Sequence, residues 1–118
     1  IRDFTFIDDV IEIMYRVMKK PPKYNKSAKV NEFQSSAPWR IYNVSSSKPS
    51  KLKSFLKKIE KNIGKKINST NSPLQKGDVP KTSGSMKLTI KTFKFKPKYN
   101  LDFGVKQFIN WYKSYYKK

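Results

Sequence analysis

Residues 2–10, Arg-Asp-Phe-Thr-Phe-Ile-Asp-Asp-Val, run from an extended apolar pattern straight into an amphipathic helix. A basic residue stands at one end of this stretch and paired aspartates at the junction. Alternation over residues 2–6 predicts a short strand, and Asp8 or Asp9 is placed to cap the helix that follows. Ile7, Val10, Ile11, Met14, Val17 and Met18 then recur at helical spacing, which predicts one buried face. Pro21-Pro22 ends that helix, because proline has no amide to donate and disfavours helical angles in the residue before it.

Beyond the prolines, residues 21–38 are polar and read as an exposed loop. Trp39 to Val44 reads as a second strand. Ser45, Ser46 and Ser47 offer capping hydroxyls ahead of Pro49, a residue suited to a first helical turn. Leu52, Phe55, Leu56, Ile59 and Ile63 form an apolar stripe with lysines filling the rest of the helix, and Gly64 closes it. A short extended piece follows at 66–68, then an irregular stretch to Pro80. Residues 84–93 are weakly helical, and Phe93 to Pro97 reads as an extended connector. The last helix, Leu101 to Tyr116, is expected to bury Leu101, Val105, Phe108, Ile109, Tyr112 and Tyr116. The order of elements predicts an α/β fold in one domain, residues 1–118, with short strands and three to four helices.

Composition removes several kinds of chemistry. The 118-residue chain has no cysteine and no histidine. Disulfides, thiolate metal sites and imidazole catalysis are therefore excluded. No apolar run approaches the roughly 20 residues of a membrane span, and the N-terminus lacks the form of a signal peptide, so a soluble cytoplasmic protein is expected. The net charge of +19 favours phosphate-rich partners. Of the 27 cationic residues, however, only Arg2, Arg16 and Arg40 are arginine, the side chain suited to bidentate recognition. The lysines scatter over every segment rather than forming one stripe. Specific nucleic-acid binding is disfavoured, and nonspecific association at low salt is expected.

Two further signals join the opening stretch. Residues 75–80, Gln-Lys-Gly-Asp-Val-Pro, form a polar turn with one carboxylate, and FGVKQFINWYKSYY closes the chain on a helical repeat. In register with RDFTFIDDV, WRIYNV and PSKLKSFLKKIEKNIGKK, these resemble the C-terminal, substrate-binding part of NAD-dependent nucleotide-sugar epimerases, which are extended short-chain dehydrogenase/reductases. The nearest resemblance is to UDP-glucuronate 4-epimerases, and it covers nearly the whole chain. It implies a fragment with the Rossmann half absent, a UDP-sugar as ligand, and a missing N-terminal half as a possible partner. The intact family uses NAD in polysaccharide biosynthesis. No cofactor site and no catalytic residue are expected in this chain.

The resemblance implies that Arg2 contacts the diphosphate, where a guanidinium can hold two phosphate oxygens; the competing reading is an ion pair with Asp3 or Asp9. It implies that Asp78 accepts hydrogen bonds from ribose hydroxyls, with Gly77 allowing a left-handed turn; the competing reading is an ordinary Gly-Asp turn. Gln75 stands where related epimerases often carry arginine and would supply neutral hydrogen bonds nearby. Asp8 and Asp9 read as helix-start residues rather than an acid–base pair. Tyr15 and Lys19 have the Tyr-x-x-x-Lys spacing of the family's catalytic pair, but that pair belongs upstream of the Arg-Asp-Phe-Thr segment. No glycine-rich dinucleotide turn is present. Ser83 and Ser85, where the family shows tyrosine and aspartate, weaken a helix start. The expectation is a substrate-binding fragment of a UDP-sugar 4-epimerase, inactive alone. The alternatives are a non-catalytic nucleotide-binding module or a basic nucleic-acid-binding module.

Overall fold

The computed structural model describes residues 1–117. Four helices follow one another: α1 (Ile7–Lys19), α2 (Leu52–Ile63), α3 (Lys87–Phe93) and α4 (Leu101–Tyr115). Extended pairing among the described residues is limited to three isolated antiparallel bridges, Arg2 with Ser50, Asn31 with Gln34, and Gln34 with Arg40. The expected α/β class is thus corrected. The helices stand in their expected number and places, while the segments at 2–6, 39–44 and 66–68 do not assemble a sheet. A strand requires a neighbour to pair its amides and carbonyls, and these segments find other partners. Arg2 pairs only with Ser50, Tyr42 and Val44 pack side chains onto a helix core, and the Ile67 amide donates to the Glu60 carboxylate at 3.0 Å.

α1 begins two or three residues earlier than a capping Asp8 or Asp9 would have it. Its N-cap is Phe6, with no side-chain cap bond, which places Asp8 and Asp9 inside the first turn. Carboxylates there complement the unpaired amides and the helix dipole. The serines at 45–47 do not cap α2 either, because that helix starts after Lys51 and Pro49 precedes it. α2 does end as expected on Gly64, at φ +79°, a left-handed angle that costs glycine nothing. α3 has only seven residues and no side-chain cap, in keeping with the serines before it. α4 is capped by the Asn100 side chain, which accepts from the Phe103 amide at 2.9 Å.

α1 packs on α3, and α2 packs on α4. Between the first pair lies an aliphatic and aromatic core of Ile13, Met86, Phe93 and Phe95, flanked by Val17, Tyr42, Val44 and Ile90. The second pair is held by rings: Phe4 stacks on Phe55 at 4.7 Å, and Phe6 meets Phe103 edge-on at 5.4 Å. No α2 residue is fully buried. In α4 only Val105 and Ile109 are, whereas Phe108, Tyr112 and Tyr116 lie exposed against expectation.

The same correction applies to α1. Its buried residues are Asp9 and Ile13, while Ile7, Ile11, Met14 and Met18 are exposed. The helix is apolar on two sides, and among the described residues only one of them is covered.

The molecule is correspondingly open. Its radius of gyration is 18.4 Å, against about 13.5 Å for a compact domain of this length. Its accessible surface is 9729 Å², against about 6,700 Å² for a compact monomer of this mass. Among the described residues no helix is long and apolar enough to cross a membrane, and no group of side chains is arranged to hold a metal ion.

Candidate functional site

The first three residues lie between two later segments, residues 46–50 and 78–84. Arg2 exchanges backbone hydrogen bonds with Ser50 at 2.9 and 2.8 Å. On the other side the terminal amino group donates to the Pro80 carbonyl at 2.9 Å, and the Thr82 amide donates to the Ile1 carbonyl at 3.1 Å. Asp3 ties all three segments together. Its carboxylate accepts from the Ser46 amide and hydroxyl at 3.1 and 2.5 Å and from the Gly84 amide at 3.2 Å. Asp3 therefore serves the scaffold and leaves Arg2 to another partner.

That partner is Asp78. The Arg2 guanidinium donates to the Asp78 carboxylate at 2.5 Å across 76 residues of sequence, and a second nitrogen donates to the Ile1 carbonyl at 3.0 Å. Neither competing pair, with Asp3 or with Asp9, forms among the described residues. The Arg2 and Asp78 side chains are 33% and 46% exposed, so both reach solvent. Two of the guanidinium's five N–H donors are engaged, and the others point to no protein acceptor. A charge-assisted pair of this kind orients both groups without spending the whole arginine fork.

Asp78 is held by its own turn. Its amide donates to the Gln75 carbonyl at 3.1 Å, and Gly77 takes φ +86°. A glycine in the left-handed region at the third position is the requirement of a type II turn. An added Cβ at Gly77 would meet nothing within 4 Å, so the glycine is required by backbone angle and not by space. The turn presents Gln75, Lys76 and Asp78 to solvent. The structure thus brings Arg2, Asp78 and the backbone of Gln75 together, on an open surface. Two cavities, about 330 and 260 Å³, lie beside Phe4 and Tyr99, and neither is lined by any of the three.

Asp9 is almost fully buried and accepts from the Lys98 and Tyr99 amides at 3.0 and 3.3 Å. It clamps the α3–α4 connector onto α1, a role its position in the sequence did not disclose. Asn43 contributes its carbonyl, which accepts from the buried Thr89 hydroxyl at 2.7 Å. Tyr15 and Lys19 do meet, with the ammonium 4.3 Å from the ring centroid, on the exposed side of α1. That is a cation–π contact, and no hydrogen bond joins it to the phenol oxygen.

Sequence reasoning singled out Arg2 and Asp78 but gave Asp3 only a passing role as a rival partner. The available signal was the Arg-Asp pair itself, in which one residue must face each way from an extended backbone.

No known family profile matches the chain. Individual proteins do. The chain is 38% identical to Protein CapI of Staphylococcus aureus, over 99% of its own length and 36% of that protein. It is 34% identical to a probable UDP-glucuronate 4-epimerase of Rhizobium meliloti (strain 1021), again over 99% of its length and 36% of the relative. It is 32% identical to UDP-glucuronate 4-epimerase 1 of Arabidopsis thaliana, over 98% of its length and 27% of the relative. The chain spans about a third of the length of the curated relatives it matches.

Proposed function

Because the chain belongs to the nucleotide-sugar epimerase family, we propose that it is the family's C-terminal substrate-binding part, of short-chain dehydrogenase/reductase descent, taking a UDP-sugar in the cytoplasm. Its sites are Arg2 for the diphosphate, Asp78 for the ribose hydroxyls, and Gln75 beside them. The observation that carries this reading is the contact between Arg2 and Asp78. Two residues 76 apart in sequence meet, and both keep free hydrogen-bonding capacity toward solvent.

Chemically, the free donors of the guanidinium can take two phosphate oxygens, and the carboxylate can then turn from the guanidinium to a diol. Neither group moves a proton or a hydride. Nicotinamide chemistry, when NAD is bound to an intact member of the family, supplies the oxidation and reduction of the sugar carbon. The residues here do not fit that cofactor. Gly64 ends a helix, Gly77 forms the turn beside Asp78, Gly84 packs on Ser45, and Gly104 lies within α4 against Phe6. None builds the phosphate-cradling turn that opens a helix. The chain alone binds substrate and does not turn it over.

The partner in this reading is a cofactor-binding half. Support comes from the outer face of α1, where Ile7, Ile11, Met14 and Met18 are exposed in one row. It comes also from a molecular surface about 3,000 Å² larger than a compact monomer of this mass presents.

Calorimetric titration with UDP tests the site. Arg2→Ala should weaken binding roughly tenfold or more, the usual loss with one charge-assisted contact. Asp78→Ala should weaken UDP while leaving inorganic pyrophosphate binding equal or tighter, because it frees Arg2. Equal UDP affinity in the parent and both variants would refute the assignment, and turnover of UDP-glucuronate with NAD by the purified chain would refute its inactivity.

A further inference from the structure

At the opposite end of α1 from Arg2, about 20 Å along the helix, lies a second cationic feature. A groove of about 710 Å³ opens between the residues that follow α1, the segment around Arg40, and α3. Lys20, Lys23, Arg40, Lys91 and Lys94 line it, and none of the chain's eight acidic residues does.

Helix ends account for only part of this. The C-terminal carbonyls of α3 carry the negative end of its dipole. They are met by Arg16, which donates to the Phe93 carbonyl at 2.9 Å, and by Lys20, near the Thr92 carbonyl at 3.5 Å. Lys23, Arg40, Lys91 and Lys94 make no ion pair with any carboxylate among the described residues.

Arg40 is the informative one. The other two arginines are paired, Arg2 with Asp78 and Arg16 with Glu12. Arg40 has no such partner, and its Nε is buried with no hydrogen bond among the described residues. With no ion-pair partner and a place on the groove wall, the Arg40 guanidinium keeps terminal donors free for an acceptor from outside the chain. Four uncompensated cations around one concavity set the sign of that acceptor. Its size also matters: a localised groove with a half-buried arginine at its wall suits a compact anion, whereas a polynucleotide needs a longer cationic track.

We propose that this groove is a second anion site, which takes a compact phosphate-bearing ligand through Arg40, Lys91 and Lys94. Binding there satisfies the Arg40 fork and relieves the repulsion among the neighbouring lysines.

The test follows amide signals of the intact chain by NMR during titration with inorganic pyrophosphate at physiological salt. Saturable shifts should appear in residues 20–25, 40–42 and 88–94, as a set that titrates separately from any shifts around Arg2 and Asp78. Arg40→Gln should weaken this binding roughly tenfold, and Lys91→Gln combined with Lys94→Gln, both exposed and safe for folding, should weaken it similarly. Arg2→Gln should leave it unchanged, whatever becomes of UDP binding. The proposal is overturned if shifts spread over lysines throughout the chain, or if Arg2→Gln abolishes the binding and the groove variants do not. A groove that responds to duplex or single-stranded DNA and ignores pyrophosphate also overturns it.

Discussion

The two faces of α1 have similar apolar content and opposite fates. The inner face sets Asp9, Ile13 and Val17 against α3 and the connector to α4, and it closes the only continuous core among the described residues. The outer face sets Ile7, Ile11, Met14 and Met18 in a row toward solvent. Burial of apolar surface is the main favourable term in folding. The inner face therefore carries the stability of the isolated chain, and the outer face carries stability only once something covers it. The contrast teaches that apolar content alone does not decide which side of this helix contributes to the isolated chain's stability.

The largest effect should come from the inner face. Ile13→Ala opens a cavity in a core with few members and should destabilise the chain by about 2–5 kcal/mol, read from the midpoint of urea unfolding. A loss below about 1 kcal/mol would mean the two faces are equivalent, and the comparison would break.

Asp9→Ala should come next. It removes the buried acceptor of two partly buried amides, those of Lys98 and Tyr99, at a cost of about 1–3 kcal/mol for groups left unsatisfied. Asp9→Asn keeps one acceptor oxygen and should cost less. If both variants unfold at the parent midpoint, the carboxylate does not hold the connector.

How much of this was legible beforehand depends on what each signal rests on. Helix positions depend on local spacing and on stop signals such as Pro21 and Gly64, and those emerged as expected. The meeting of Arg2 with Asp78 was foreshadowed by family resemblance alone, since no local rule links residues 76 apart. Which side of α1 is buried was not legible. Both sides are apolar, and periodicity pointed to the wrong one: it assigned Ile7, Ile11, Met14 and Met18 to the buried face and passed over Ile13, which is buried. The strands failed for a related reason: Trp39 to Val44 has strand chemistry, but pairing needs an adjacent strand that the described residues do not supply. Arg40 drew notice only through the scarcity of arginine. Its buried Nε depends on tertiary contacts that no residue count reveals.

A subtler measurement separates charge from burial on α1. Glu12 accepts from Arg16 at 2.8 Å, and that hydrogen bond first, with the nearby charges of Lys98 and Arg16 adding to it, holds the Glu12 carboxyl below its ordinary value. A carboxyl lowered in the folded state contributes stability above its unfolded value of 4.5, and that contribution fades as pH falls through the lower, folded value. The parent should therefore lose slightly more stability than Glu12→Gln as pH is lowered through and below the ordinary carboxylate range. Parallel stability profiles would show that the pair, which is solvent-screened, contributes nothing.

The smallest expected effect is the most discriminating. Ile11→Ala combined with Met14→Ala should change the stability of the isolated chain by no more than about 0.5 kcal/mol, as exposed substitutions do, although both side chains are large and apolar. If the double variant instead falls as far as Ile13→Ala, the outer face is already covered in solution. A second copy of the chain is the partner available in a purified sample, and sedimentation at several concentrations would register it. A null result, set beside the loss at Ile13, leaves that face free for the larger polypeptide that the chain's relatives carry. Residues one and two positions apart on the same helix would then differ in effect by several kcal/mol because, among the described residues, only one of the two faces has its partner.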